Sequence, residues 1–183
     1  MAWTAGAAAR PFEADADGGC ALVEAARSGD RGAFAALYAR FARTVHGILL
    51  SRVPRPEVED LVQDVFVLAL QQMHTLRTAA AFPGWLATIA RNCATDYLRR
   101  APRTTDLPGD LASSDSDRAD ALLVLAAIRR LPDAYRETLT LRLVEGMTGP
   151  EIAARTGLTE GSVRVNLHRG MKQLRQLLER RPL

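Results

Sequence analysis

From Cys20 to about Arg100 the apolar residues recur every three or four positions and never alternate for long enough to suggest a sheet. Leu22, Val23 and Ala26 begin a short helix that ends near Ser28-Gly29-Asp30. Phe34, Leu37, Tyr38, Phe41, Val45, Ile48 and Leu49 trace a longer one, broken at Val53-Pro54-Arg55-Pro56. A third helix from Glu57 to about Leu76 carries Val58, Leu61, Val62, Val65, Phe66, Leu68 and Met73. A loop containing Pro83-Gly84 precedes a fourth, through Ile89, Ala90, Cys93, Ala94, Tyr97 and Leu98 to Arg99-Arg100. Ala101–Arg118, with Pro102, Pro108, Gly109 and the run Ser113–Asp117, reads as an exposed flexible linker. Beyond it, Ala119–Arg130 and Asp133–Val144 form two amphipathic helices separated at Leu131-Pro132. The predicted fold is all-α: a flexible tail (1–19), a helical domain (20–100), the linker (101–118) and a second helical domain (119–183). A linker of that composition predicts no fixed arrangement of the two domains in free solution.

The end of the chain is more specific. Thr148 is a good N-cap, with Glu151 three residues on to complete a capping box. Pro150 is tolerated in a first turn, where backbone N–H groups have no intrahelical partner. Gly157 stops this short helix and turns the chain. Thr159 then caps another helix, whose apolar positions Val163, Leu167, Met171 and Leu174 leave Arg164, Asn166, His168, Arg169 and Lys172 on its other faces. This is the plan of a helix-turn-helix, which lays its second helix in the DNA major groove. A helical hairpin with a solvated basic face is the plainer alternative.

Charge supports DNA as the partner through its placement rather than its total. The net charge of the 183 residues is only +3. From Ala119 onward eleven Lys/Arg face seven Asp/Glu, whereas Thr104–Arg118 holds one Arg against four Asp. A basic module therefore follows an acidic connector. Hydrophobic content of 48% with 25% charged residues is that of a globular protein. Cys20 and Cys93 are far apart and have neither metal-ligand nor redox spacing, so Cys93 reads as a small buried hydrophobe and no cofactor is expected. No segment reaches the roughly eighteen apolar residues of a membrane span, and a cytoplasmic location is expected. The three histidines, His46, His74 and His168, lie in separate segments with no nucleophile–base pair or phosphate loop, so an enzyme is not expected.

Two further stretches say what the chain would do on DNA. In Glu57–Phe66, Asp60, Gln63 and Asp64 are three and four apart on one helix face. In Phe82–Arg100, Trp85 and Tyr97 are mixed with Arg91, Asn92, Arg99 and Arg100, a combination suited to stacking on unpaired bases and gripping phosphates. Each stretch alone also suits a bland role, a solvated face for the first and core aromatics for the second. In this order the stretches resemble the extracytoplasmic-function (ECF) group of bacterial RNA polymerase sigma factors, over about Cys20–Leu178. Glu59–Phe66 is similar to region 2.2 of that family, Phe82–Arg100 to regions 2.3 and 2.4, Leu131–Glu137 to the start of region 4.1, and Gly146–Leu174 to region 4.2.

The resemblance implies that Asp60, Gln63 and Asp64 dock on the clamp helices of the polymerase β′ subunit. It implies that Trp85, Arg91, Asn92, Tyr97, Arg99 and Arg100 melt the −10 element and hold its displaced strand, with Asn92 bonded to a flipped base. It further implies that Gly161, Ser162, Arg164, Asn166, His168, Arg169 and Lys172 read the −35 element of the promoter, next to the β flap. An anti-sigma factor is an implied partner. Opening DNA without ATP needs binding energy from extruded bases to offset unstacking. The chain departs from the family at Val165-Asn166, where Ser-Arg is usual. Exchanging an arginine for an asparagine removes a phosphate or guanine contact and suits adenine instead. The competing readings are a helix-turn-helix regulator that acts without polymerase, and a sigma-like decoy for an anti-sigma factor.

Overall fold

The computed structural model describes residues 16–101 and 116–179. Residues 1–15 of the expected tail and 102–115 of the expected linker lie outside the described residues. Within them the chain forms α1 (Ala16–Arg27), α2 (Arg31–Leu50), α3 (Val58–Gln72), α4 (Phe82–Arg100), α5 (Ser116–Arg129), α6 (Asp133–Leu143), α7 (Gly149–Thr156) and α8 (Glu160–Glu179), with short 3₁₀ turns around α3 and before α4. Among the described residues there is no strand.

Local chemistry sets these boundaries. Asp30 caps α2 by accepting from the backbone N–H groups of Gly32 (2.7 Å) and Ala33 (3.1 Å). Pro83, expected in a loop, lies inside the first turn of α4, where its missing N–H leaves no intrahelical bond unmade. The third helix ends at Gln72, and Met73–Thr75 tightens into a 3₁₀ turn. The N-terminal half, α1–α4, has one core built from Val23, Leu37, Phe41, Val45, Ile48, Val62, Val65, Phe82, Leu86 and Ala90, among others. Phe41 meets Phe82 edge-on at 5.3 Å, and Phe82 leans on Trp85 at 5.8 Å. The C-terminal half has two smaller clusters. Leu141, Met147, Ile152, Ala153 and Val163 fill the helix-turn-helix; Ile128, Leu131, Leu139 and Leu174 tie α5, α6 and α8.

The two halves are docked on one another, which departs from the expectation of no fixed arrangement. Helix α6 is the wedge between them. Its residues Glu137, Thr138, Leu139, Thr140 and Leu141 are all buried, so the middle of the helix is covered on every side. It packs on α2 from the N-terminal half and on α5, α7 and α8 from its own, while α7 also packs on α4. The physical reason is that linker composition governs only how freely two domains can separate. Whether they adhere depends on the complementarity of their surfaces.

Candidate nucleic-acid interface

The helix-turn-helix is built as its residues dictate. Thr148 Oγ1 accepts from the Glu151 N–H, and the Glu151 carboxylate accepts from the Thr148 N–H at 2.8 Å, which closes the capping box. Those hydrogen bonds, led by the one from the Thr148 backbone, hold the Glu151 carboxyl below its usual range. Gly157 ends α7 in the left-handed region at φ +75°, and Thr159 caps α8 by accepting from Ser162 N–H at 3.2 Å. Val163 and Leu174 are buried and Leu167 and Met171 half-buried, so one side of α8 is committed to the core.

The opposite side carries the residues expected to read duplex DNA. Gly161, Ser162, Arg164, His168, Arg169 and Lys172 are exposed, and Arg164, His168 and Lys172 form one row at four-residue spacing. Asn166 is different: it is half-buried at the edge of this face. Val165 instead stands in the face at 45% exposure, an apolar group among cations that the spacing of the basic residues did not reveal.

Helix α3 turns Asp60, Gln63 and Asp64 outward and buries Val58, Val62, Val65 and Phe66. The acidic face does not end where the carboxylates do. Val67 and Leu70, one and two turns on, are 54% and 53% exposed and extend the face with apolar surface. Sequence reasoning followed the apolar stripe from Val58 to Met73 and left Val67 and Leu70 unassigned.

On α4 the expected strand-capture residues divide into separate groups. Asn92 and Arg99 are exposed, and with half-buried Trp85 they repeat every seven residues along one ridge, beside exposed Arg100. Tyr97 and Trp85 both pack partly on the core. Arg91, about 100° around the helix from Asn92, points to the C-terminal half. There it grips Glu137 of α6 with both ends of its fork, Nε to Oε2 at 3.0 Å and Nη2 to Oε1 at 2.7 Å. This contact raises the Arg91 pKa, outweighing the effect of its burial. Between α3 and α4, half-buried Cys93 has its thiol pKa pushed up by burial and by Asp64 and Asp96, as suits an inert side chain.

A set of residues not singled out by the sequence surrounds this contact. Arg52, just past α2, reaches Glu137 at 3.2 Å and Asp133 at 2.8 Å. His46 Nδ1 lies 2.6 Å from Glu145 Oε1, and Arg43 Nε is 3.5 Å from the same carboxylate. Arg129 donates to the carbonyls of Leu50 and Val53 at the end of α2, and Arg155 donates to the carbonyl of Arg40. Burial lowers the pKa of both Arg129 and Arg155. Each of these bonds joins one half to the other. Spacing does not single out Glu137, because Asp133, Arg136 and Thr140 share its polar stripe on α6.

Comparison with known proteins places these halves. Residues 37–104 match the family model for sigma-70 region 2, and residues 121–174 match the model for sigma-70 region 4. The RNA polymerase sigma factor CarQ of Myxococcus xanthus is 34% identical over 165 residues, which span 85% of this chain and 95% of CarQ. The ECF RNA polymerase sigma-E factor of Haemophilus influenzae is 30% identical over 182 residues, 87% of this chain and 94% of that one. Among solved structures, CnrH in complex with the cytosolic domain of CnrY is 28% identical with a TM-score of 0.63, covering 90% of this chain and 98% of its own. The sigma factor RpoE of Bartonella quintana, in complex with the anti-sigma factor NepR, shares the fold at 20% identity and a TM-score of 0.52, covering 81% and 98%.

Proposed function

Because this chain belongs to the ECF group of RNA polymerase sigma factors, we propose that it binds core RNA polymerase and directs promoter recognition, DNA melting and transcription initiation. The observation that carries this reading is the pairing of two DNA-directed surfaces with one acidic, partly apolar face in a single chain: the basic row of α8, the ridge of α4 and the outer face of α3. A regulator acting without polymerase would have no use for the last two.

In this reading residues 20–100 form the polymerase-binding and −10 domain and residues 119–183 the −35 domain. Asp60, Gln63 and Asp64, extended by Val67 and Leu70, dock on the β′ clamp. Trp85, Asn92, Arg99 and Arg100 receive the unpaired strand, with Tyr97 and Arg91 flanking them. Base stacking on an aromatic contributes about 1–3 kcal/mol per base, which offsets unstacking. Gly161, Ser162, Arg164, Asn166, His168, Arg169 and Lys172 read the −35 element beside the β flap. The polymerase supplies all chemistry, the location is cytoplasmic, and no helix of the described residues is long and apolar enough to cross a membrane. Docked halves and relatives solved in inhibitory complexes support an anti-sigma factor as a further partner.

The test is transcription by core polymerase plus the purified chain from a random promoter library. Enrichment of promoters with two separated elements is expected, together with permanganate-reactive thymines that weaken in Asn92→Ala. Duplex binding by the chain with no transcript from any promoter would favour the polymerase-independent regulator.

A further inference from the structure

Arg52, in the turn after α2, and Arg91, on α4, are far apart in the N-terminal half of the chain, yet both guanidinium groups close on the one carboxylate of Glu137. Glu137 is only 4% exposed, and the Arg52 side chain 12%. Arg52 is held in place by its backbone, whose N–H bonds the carbonyl of Leu49 at 2.8 Å at the end of α2. The acidic partners of both arginines, Asp133 and Glu137, belong to α6 in the other half. When the halves part, two converging cations therefore lose their counter-charges together, and like charges held this close call for an anion.

Separation is required by length alone. Elements at −35 and −10 are about 25 base pairs apart, roughly 85 Å at 3.4 Å per pair. In the docked chain α4 and α7 touch, with the backbones of Gly84 and Gly157 in contact. One chain in this arrangement cannot occupy both elements.

We propose that Arg52 and Arg91 form a seat for a backbone phosphate of the promoter strand, and that Glu137 fills this seat as an internal phosphate mimic while the halves are docked. The forked, bidentate approach of Arg91 to two carboxylate oxygens is equally suited to two phosphate oxygens. Arg52 thereby becomes a DNA-contacting residue beside Arg91, and Glu137 a competitor that the DNA must displace. The inference rests on the assignment of Arg91 to the −10 region, to which it adds Arg52 and Glu137.

The experiment uses the full chain with core polymerase and a fluorescent forked promoter containing the −10 element, titrated over a range of salt. Arg52→Ala should weaken binding and reduce the log–log salt slope by about 0.7–0.9, the value for one lost phosphate contact; Arg52→Lys should recover the slope. In the free chain, Glu137→Gln should raise affinity for the same DNA about tenfold by removing the charge that competes with phosphate for the seat. Circular-dichroism melts of each variant identify those that fail to fold, and for any such variant the Lys exchange at Arg52 carries the decision. Unchanged affinity and slope in Arg52→Ala, with a clear loss in Arg91→Ala, would overturn the seat and leave the −10 assignment standing. No loss in either variant would remove both. A loss of affinity for core polymerase in Arg52→Ala, with DNA binding intact, would mean that an acidic protein side chain takes the seat, and would also overturn the proposal.

Discussion

A Cβ built on Gly157 would lie 2.8 Å from the Cα of Gly84, so the turn of the helix-turn-helix and the first turn of α4 meet backbone to backbone. Gly157 also sits at φ +75°, and the two requirements act on different things. The left-handed conformation belongs to the helix-turn-helix itself and costs a non-glycine residue about 1–2 kcal/mol. The close approach belongs only to the docked state. Gly157→Ala should therefore lower the melting temperature and also increase the radius of gyration of the free chain. A melting shift with unchanged solution scattering would show that α4 and α7 yield without separating.

Gly47 offers the converse case. It lies in the last turn of α2, where a Cβ would come within 2.6 Å of Leu141 on α6 and 3.0 Å of Glu145 just beyond it. Leucine improves the helix propensity of the site by up to about 1 kcal/mol but drives a wedge into the interface. Gly47→Leu should thus part the halves while leaving the N-terminal domain as stable as before or more so, read by scattering and by melting together.

His46 makes the docking pH-dependent. Its hydrogen bond to Glu145 raises its pKa above the ordinary 6.5, with help from the charges of Glu145 and Glu59 and against the effects of burial and of Arg55. A group that holds its proton more tightly when docked stabilises docking fully below pH 6.5, and that contribution disappears as pH rises through the raised value. Arg43 approaches the same carboxylate, its Nε 3.5 Å from Glu145. The free chain should accordingly become more extended on the alkaline side of 6.5, and His46→Gln should flatten that dependence. Scattering curves that superimpose across this range would refute it.

On the outer face of α3, the double charge reversal Asp60→Lys/Asp64→Lys should weaken binding to core polymerase by about 2 kcal/mol or more if the carboxylates lie centrally in the interface. Both side chains are exposed, so helix content should not change. Val67→Ser should weaken binding too, without altering its salt dependence, because the lost contact is apolar. Equal affinity of parent and double reversal for core would remove α3 from the docking surface.

For the −35 element, Arg164→Ala should cost about 1–3 kcal/mol and relax selection at one or two positions, whereas Lys172→Ala should weaken all sequences about evenly and reduce the salt slope. Val165→Ser should lose preference for a thymine, whose methyl group is the natural contact of an exposed apolar side chain in the major groove. Profiles from a −35 library that match the parent at every position would reduce these residues to backbone contacts.

The helices, their caps and the faces they turn to solvent can be read from residue order, because these follow from interactions within a few residues. Thr148 with Glu151, Gly157 and Thr159 are legible since capping is local chemistry. Asp60, Gln63 and Asp64 are legible since helical spacing alone puts them on one face. Which of these residues remain available depends on how the two halves pack. Arg91 and Asn92 are neighbours in sequence, yet one grips Glu137 across the interface while the other faces solvent. The same holds for Asn166, expected beside Arg164 but half-buried, and for Val165, which takes its place in the face. Pairings such as Arg52 with Glu137 or His46 with Glu145 span 85 and 99 residues. Such partners depend on how two separately folded surfaces fit together, and a spacing rule reaches no further than the next turn of its own helix.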